Sequence, residues 1–494
     1  MNEWPGAIHD GRKRSPRDGG GGGGTKDGPS HPAPMMHTLA AFAAACGGRL
    51  AGEDRPFSGV SSDTRTLAAG ELFVALRGER FDGNEFARAA LAAGAAGALV
   101  SREQPLALAQ IVVPDTLAAL QRAAHAWREA LRIPVVGVAG SNGKTTTKEM
   151  TAAILSRAGS CLATRGNLNN HIGVPLTLLR LEDSHRFAVI EMGANRAAEV
   201  AGLVKIARPT VGLITNAGAE HLEGFGSLVG VARAEGEMVE GLAPEATAVL
   251  NADDAFLELW GGMTRARVVT FGFAAGADFR ATDLDASLTP EGFLTRFELA
   301  CPQGRASIEL HIGGRHNVGN ALAAAAAAAA AGASLEHIAA GLASVRPVAG
   351  RLQLKQAASG AWILDDSYNA NPSSVRAGLE VLGSLPGRRW LVLGDMAELG
   401  QFGPEAHAEI GALARRHGLE RLYAVGPQAA LAVERFGVGA QWFADTNALS
   451  EALLAALASG AADVRVLVKG SRINRLERLV AALVAGPGHA AEAH

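Results

Sequence analysis

The chain has little cysteine, little tyrosine and no excess of charge of either sign. Three cysteines stand in 494 residues, Cys46, Cys161 and Cys301. They are far apart and odd in number, which excludes a disulfide framework and a close-spaced zinc motif and points to a reducing, cytoplasmic setting. The formal net charge of -3 excludes the basic stripe that a nucleic-acid partner requires. No stretch has the form of a signal peptide or a membrane span. The most apolar run, Ala321 to Ala331, is about half of the roughly 20 residues that cross a bilayer. Alanine is the best helix former, so this run reads as a small-residue helix packed tightly on a sheet.

What is present is a long chain, 48% apolar, too large for a single core and expected to form about two to four domains. Residues 1–35 hold a basic cluster (Arg12, Lys13, Arg14), a glycine run from Gly19 to Gly24 and prolines up to Pro34. Such a segment cannot offset its ordering entropy by burying apolar surface. It is expected to be a disordered extension, either a tail or an over-long start upstream of Met35 or Met36. Residues 36–132 read as a small α/β domain: a helix at Leu39 to Ala45, the β-like ELFVAL, a helix at Asn84 to Ala93, then GALV and QIVVP. Residues 133–345 carry buried-strand runs (IPVVGVAG, FAVIEM, VGLITN, ATAVLN and RVVTFG) with helical spacers, as in a parallel doubly wound sheet. Alternating segments between Asp278 and Ile312 suggest an antiparallel flap. Residues 346–494 repeat the pattern with AWILDD, RWLVLGD, RLYAVG and VRVLVKG, a Rossmann-like α/β unit. The predicted fold is therefore α/β in three domains.

Chemistry enters at Gly140-Ser141-Asn142-Gly143-Lys144-Thr145-Thr146. The usual phosphate loop is G-x-x-x-x-G-K-[ST]. Here Val138 occupies its first glycine position, with Gly137 and Gly140 on either side. The physical parts are intact: a buried strand, a glycine-rich turn and a helix N-terminus whose free N–H groups and dipole favour phosphate. Lys144 can neutralise β/γ oxygens and Thr145 can ligate Mg²⁺. ATP binding follows from this loop; the reaction does not.

The variant GSNGKTT resembles the Mur ligase family, in which ATP activates a carboxylate as an acyl phosphate and an amine displaces the phosphate. Further motifs follow in the family's order: SSDTRTLAAGELFVALRGERFDGNEF, GNLNN, EMGAN, HLEGFGS, GRHNVGN, DDSYNANPSS, LGDMAELG and VKGSR. The resemblance covers roughly Leu39 to Val484. The pair GNLNN and DDSYNANP implies, within the family, the activity that joins D-alanyl-D-alanine to UDP-N-acetylmuramoyl-tripeptide, giving the pentapeptide for peptidoglycan. It implies two Mg²⁺ ions, a monomer, and no nucleic-acid or membrane partner. It carries Glu191, with Thr145, onto one metal and His221 onto the other. His316, Asn317 and Asn320 match adenine contacts, an asparagine amide being both donor and acceptor. Arg351 would reach the γ-phosphate, and Asp366 the ribose or phosphate region. Tyr368, Asn369 and Asn371 would lie by the incoming dipeptide, with Lys469 and Ser471 as weaker contacts. Thr64, Arg65 and Asn84 match positions for the nucleotide sugar. Thr164, Asn167, Asn169 and Asn170 would grip the acyl substrate.

One position departs from the family. Most relatives have a lysine, carbamylated by CO₂, where this chain has Glu235. Glutamate has the same charge and hard oxygen donors on a shorter stem, so Glu235 is expected to support the second Mg²⁺ without CO₂, with Glu237 as the rival. Other readings are a sister Mur ligase, folylpolyglutamate synthetase, or a nucleotide-sensing binding protein. DDSYNANP, the long N-terminal domain, and the pair Arg351 and Asp366 speak against these in turn.

Overall fold

The computed structural model describes residues 37–220, 222–289, 292–458 and 461–486. The expectations for residues 1–35 and for His221 lie outside the described residues. The fold is α/β and carries three separate sheets.

The first sheet has five short strands, in the order Arg49–Ala51, Gln110–Val112, Gly97–Val100, Leu72–Val74, Val60–Ser61. The outer pair at Arg49–Ala51 is antiparallel and the others run parallel. The helix Thr116–Ala130 links this sheet to the next. Its Leu120 and Ala123 enter the first core, while the Trp127 indole donates to the Leu181 carbonyl (3.0 Å). Arg128, buried beside it, donates to the carbonyls of Ala207 (3.0 Å) and Arg208 (3.1 Å) and so closes the end of the helix Glu199–Ala207. That answers the carbonyls a helix C-terminus leaves unpaired.

The central sheet has nine strands, in the order Gly304–Leu310, Gly292–Cys301, Phe279–Thr289, Arg267–Gly272, Thr247–Asn251, Val211–Ile214, Val135–Ala139, Phe187–Glu191, Cys161–Ala163. The segment expected as a flap is antiparallel, but it is not separate. Phe279–Thr289 pairs parallel with Arg267–Gly272 before the chain folds back twice, so the hairpins extend the sheet. Val135–Ala139 lies between Val211–Ile214 and Phe187–Glu191. After it the chain first builds one side of the sheet and then crosses to the other. In an open α/β sheet that switch point opens a crevice at the carboxyl ends of the strands.

Behind the sheet three helices pack through small residues. Arg315–Ala330 buries the alanine run against Met150 and Ile154 of the helix Lys144–Ala158. The helix Leu335–Ser344 approaches so closely that a Cβ on Gly341 would lie 2.4 Å from the Ile154 Cα. Alanine here serves close approach rather than buried area.

The third sheet has six strands, in the order Gln353–Gln356, Trp362–Asp366, Val464–Lys469, Arg388–Gly394, Arg421–Val425, Ala440–Phe443. Only the first pair is antiparallel. The two outer strands escape the sequence pattern because they are short edge strands with exposed polar positions and no apolar run.

Candidate active site

Val135–Ala139 runs into the loop Gly140–Gly143, and the helix Lys144–Ala158 starts directly behind it. Two glycines permit the turn. Gly140 has φ +120°, and a Cβ on it would lie 2.2 Å from the Thr215 hydroxyl. Gly143 has φ +82°, and its Cβ would lie 2.2 Å from the Asn320 side-chain oxygen. A side chain is excluded by both space and dihedral angle. Val138 is an ordinary residue of the strand.

The loop amides fall into two groups. Gly140 N–H donates to Glu235 Oε2 (2.6 Å), Ser141 N–H to the Asn216 carbonyl (2.9 Å) and Asn142 N–H to Asn216 Oδ1 (3.0 Å). These hold the loop. The amides from Gly143 to Thr146 belong to the first helical turn, which has no intrahelical acceptor for them, and they are the donors left for an anion. Lys144 Nζ donates to the carbonyls of Gly140 and Ser141 and pairs with Glu220 Oε1 at 3.1 Å. Burial works against its charge, but Glu220, Glu235 and Glu191 outweigh it and hold the ammonium above its ordinary pKa.

Glu191 ends the neighbouring strand, buried at 2% exposure. Its amide donates to Thr164 Oγ1 (3.0 Å), and its Oε1 accepts from Asn169 Nδ2 (2.9 Å) and from the Thr145 hydroxyl (3.3 Å). Its Oε2 is buried with no hydrogen-bond partner among the described residues. Lys148 Nζ, fully buried, stands 3.8 Å from that oxygen.

The third sheet supplies the opposite wall. Arg351 stacks over Tyr368, 4.3 Å from the ring centroid. Lys469 Nζ donates to Asp366 Oδ2 (2.6 Å) and to the Asn369 carbonyl (3.0 Å). Burial lowers the pKa of Lys469, against the pull of Asp366. Asn371 caps the helix Pro372–Ser384, its Oδ1 accepting from Ser374 N–H (2.8 Å). Its Nδ2 crosses to Asn142 Oδ1 of the phosphate loop (2.8 Å).

These groups line one cavity of about 650 Å³, within the size range of small-molecule sites. It gathers Ser141 to Thr146, Asn167, Asn169, Asn170, Glu191, His316, Asn317, Asn320, Arg351, Asp366, Tyr368, Asn369, Asn371 and Lys469. At the end lined by Asn317 the amides are partly engaged, because Asn317 donates to the Gly313 carbonyl (2.7 Å) and accepts from Asn320 (3.0 Å).

Several expected residues sit elsewhere. Thr164 is buried and aims its hydroxyl at the Glu191 amide, so it stands behind the site. Asn84 is buried too, its amide joined to Asp82 (2.6 Å) and Ser101 (2.8 and 3.0 Å), which braces the first sheet instead of presenting a free polar group. Thr64 and Arg65 are not in the cavity; Arg65 is exposed and pairs with Asp63 at 2.6 Å. Ser471 links the Ala397 amide to the Ala370 carbonyl. Glu235 is buried against Gly140 and is not among the cavity-lining residues. Among the described residues, no group of three or more His, Cys, Asp or Glu side chains converges as a metal site.

Sequence reasoning missed Glu220, Asn216 and Lys148, and the cavity residues Asn251, Asp253 and Phe273. Two signals were legible. Glu220 directly precedes the HLEGFGS motif, and Lys148 lies one helical turn beyond Lys144 on the same face. Phe273, with Arg315 3.5 Å from its ring centroid, carries no motif.

Known families agree with this geometry. The Mur ligase middle domain matches residues 138–328, the Mur ligase glutamate ligase domain 350–472, and the Mur ligase family catalytic domain 56–141. The UDP-N-acetylmuramoyl-tripeptide–D-alanyl-D-alanine ligase of Escherichia coli K12 is 45% identical over 449 residues, 90% of this chain and 98% of that protein. The ligase of the same name from Bacillus subtilis is 36% identical over 88% of this chain and 95% of its own length. Among solved structures, MurF from Acinetobacter baumannii superposes with a TM-score of 0.83 at 35% identity, covering 90% of this chain and 98% of that one. MurF ligase from Thermotoga maritima in complex with ADP gives 0.76 at 27% identity, over 86% of this chain and 97% of that one. With three domain models in sequence order and relatives matched over nearly their whole length, the chain belongs to the Mur ligase family.

Proposed function

We propose that this chain uses ATP to join D-alanyl-D-alanine to UDP-N-acetylmuramoyl-tripeptide, releasing ADP and phosphate and supplying the pentapeptide nucleotide for peptidoglycan. The observation that carries the reading is the meeting of a phosphate loop with Arg351 and Asn371 of the third sheet in one cavity, in a chain close to ligases of that name. A protein that only senses nucleotide needs no such second wall.

The reaction brings an anionic carboxylate to an anionic γ-phosphate, so catalysis rests on positioning and charge neutralisation. The amides of Gly143 to Thr146 and the Lys144 ammonium receive the phosphates. Arg351, held by Tyr368, faces the transferring group from the other wall. The peptide carboxylate attacks phosphorus and ADP leaves. The dipeptide amine then attacks the acyl carbon and expels phosphate, the developing oxyanion being stabilised by the same cations. Asn167, Asn169 and Asn170 border the acyl side, and Tyr368, Asn369 and Asn371 the amine side. Asn317 and Asn320 border the base.

Glu191, whose Oε1 accepts from the Thr145 hydroxyl and whose Oε2 makes no hydrogen bond among the described residues, fits one Mg²⁺, a hard cation held by one or two carboxylates plus phosphates. Such an ion, held by Glu191 and Thr145, would supply charge neutralisation to the phosphates. For a second ion Glu235 does not fit, because its Oε2 is already engaged by the Gly140 amide at 2.6 Å and the residue is not among those lining the cavity. Thr64 and Arg65 are proposed for the nucleotide-sugar end. The three cysteines are free, in keeping with work in the cytoplasm.

Phosphate release with UDP-N-acetylmuramoyl-tripeptide and D-alanyl-D-alanine tests the reading. Turnover is expected with the dipeptide. Turnover with D-glutamate or diaminopimelate, and none with the dipeptide, overturns it.

A further inference from the structure

Glu235 lies in the helix Leu228–Glu240, behind the phosphate loop. Its Oε2 accepts the Gly140 N–H at 2.6 Å, a short charge-assisted hydrogen bond inside the protein. The Gly140 carbonyl, on the other side of the same residue, accepts from Lys144 Nζ. Gly140 is thus held by an anion at its N–H and a cation at its C=O, at the point where the loop is tightest. There a Cβ would strike the hydroxyl and amide of Thr215, at 2.2 and 2.8 Å.

The arrangement has two consequences. The Gly140 amide is taken out of the set that can meet phosphate, so the anion site is made by the first helical turn alone. The loop cannot flip its Gly140 peptide without leaving a buried carboxylate unpaired, which costs more than the loss of the bond itself. From this geometry we infer that Glu235 is a positioning residue that locks the phosphate loop for nucleotide binding, and does so without a metal ion. Burial, with Glu220 and Glu237 adding to it against Lys144 and the Gly140 amide, lifts its carboxyl to about 7, so the group is the full anion only above that pH, and binding is compared at about pH 8.5.

The inference rests on ATP binding at this loop, and the experiment separates the two. ADP binding is measured by titration calorimetry for wild type, Glu235→Ala, Glu235→Gln and Glu235→Met, each in excess Mg²⁺ and again in EDTA. Absence of binding by wild type would defeat the ATP reading itself. If wild type binds, Glu235→Ala is expected to weaken ADP by about tenfold in both buffers, the effect of losing one charge-assisted bond. Glu235→Gln, which keeps an acceptor oxygen at the same reach, is expected to stay within about threefold of wild type, and Glu235→Met, of similar volume but without an acceptor oxygen, to lose about tenfold, a difference that loss of packing alone would not give. A loss confined to the Mg²⁺ buffer makes Glu235 a metal ligand and overturns the inference. So does unweakened binding by Glu235→Ala in EDTA. If Glu235→Ala does not fold, a tenfold loss in Glu235→Gln in EDTA overturns it equally.

Discussion

Lys144 is the residue on which the charge problem concentrates. Three carboxylates keep it protonated, and its ammonium is held on the loop carbonyls while Glu220 pairs with it. Lys144→Met should leave the fold intact and lower kcat by about 10²-fold or more, as removal of one preorganised donor does elsewhere. Steady-state phosphate release together with an unchanged circular dichroism spectrum is the check. His407 makes a pH prediction away from the site. It is fully buried, accepts from the Met396 amide (2.9 Å) and donates from Nδ1 to the Gly403 carbonyl (2.7 Å). Burial pushes its pKa down, against the pull of the Gly403 carbonyl and Asp395. Below about 6.5 the unfolded chain takes up a proton that the folded imidazole refuses, so stability falls as pH drops from there toward the lowered value. His407→Gln should therefore show a shallower fall of Tm between about pH 6.5 and 5 than wild type. Parallel curves would refute the assignment.

At the scale of elements, the helices behind the central sheet are joined through missing side chains. Gly341 faces the Ile154 backbone at a separation that leaves no room for a methyl group. Gly341→Ala should destabilise by about 1–3 kcal/mol through overpacking, although alanine is the better helix former. A higher Tm for the variant would show that the helices can separate freely. The elements most legible in the sequence were those with one dominant cause. Buried parallel strands such as Val135–Ala139 and Phe187–Glu191 read as apolar runs because both faces are covered. Edge strands such as Gln353–Gln356 and Cys161–Ala163 did not, because pairing with one neighbour makes no periodic demand on the side chains. The hairpins from Phe279 to Leu310 were legible as antiparallel, but their attachment to the sheet was not, since it depends on two residue pairs, Phe271 with Phe279 and Gly272 with Arg280.

For the whole molecule, the contact between Asn371 and Asn142 joins the third sheet to the phosphate loop across 229 residues of chain. Asn371 also receives its own helix N-terminus, so the contact comes from a fixed element. A double-mutant cycle of Asn142→Ala and Asn371→Ala, read as kcat/KM for ATP, should give a coupling of about 0.5–1.5 kcal/mol. Additive effects would mean that the two walls act independently. The sequence by itself determined the α/β class, the phosphate loop and the family, because those depend on local chemistry: apolar runs, glycines and a lysine at a helix start. It also named about half of the residues that line the cavity, through motifs whose order along the chain is one-dimensional. Only the tertiary structure decided which way each polar side chain faces. It turned Glu235, Thr164 and Asn84 inward to hold backbone or neighbouring polar groups and brought Glu220 to Lys144. Facing is set by packing between elements distant in the chain, and residue type alone carries no record of it.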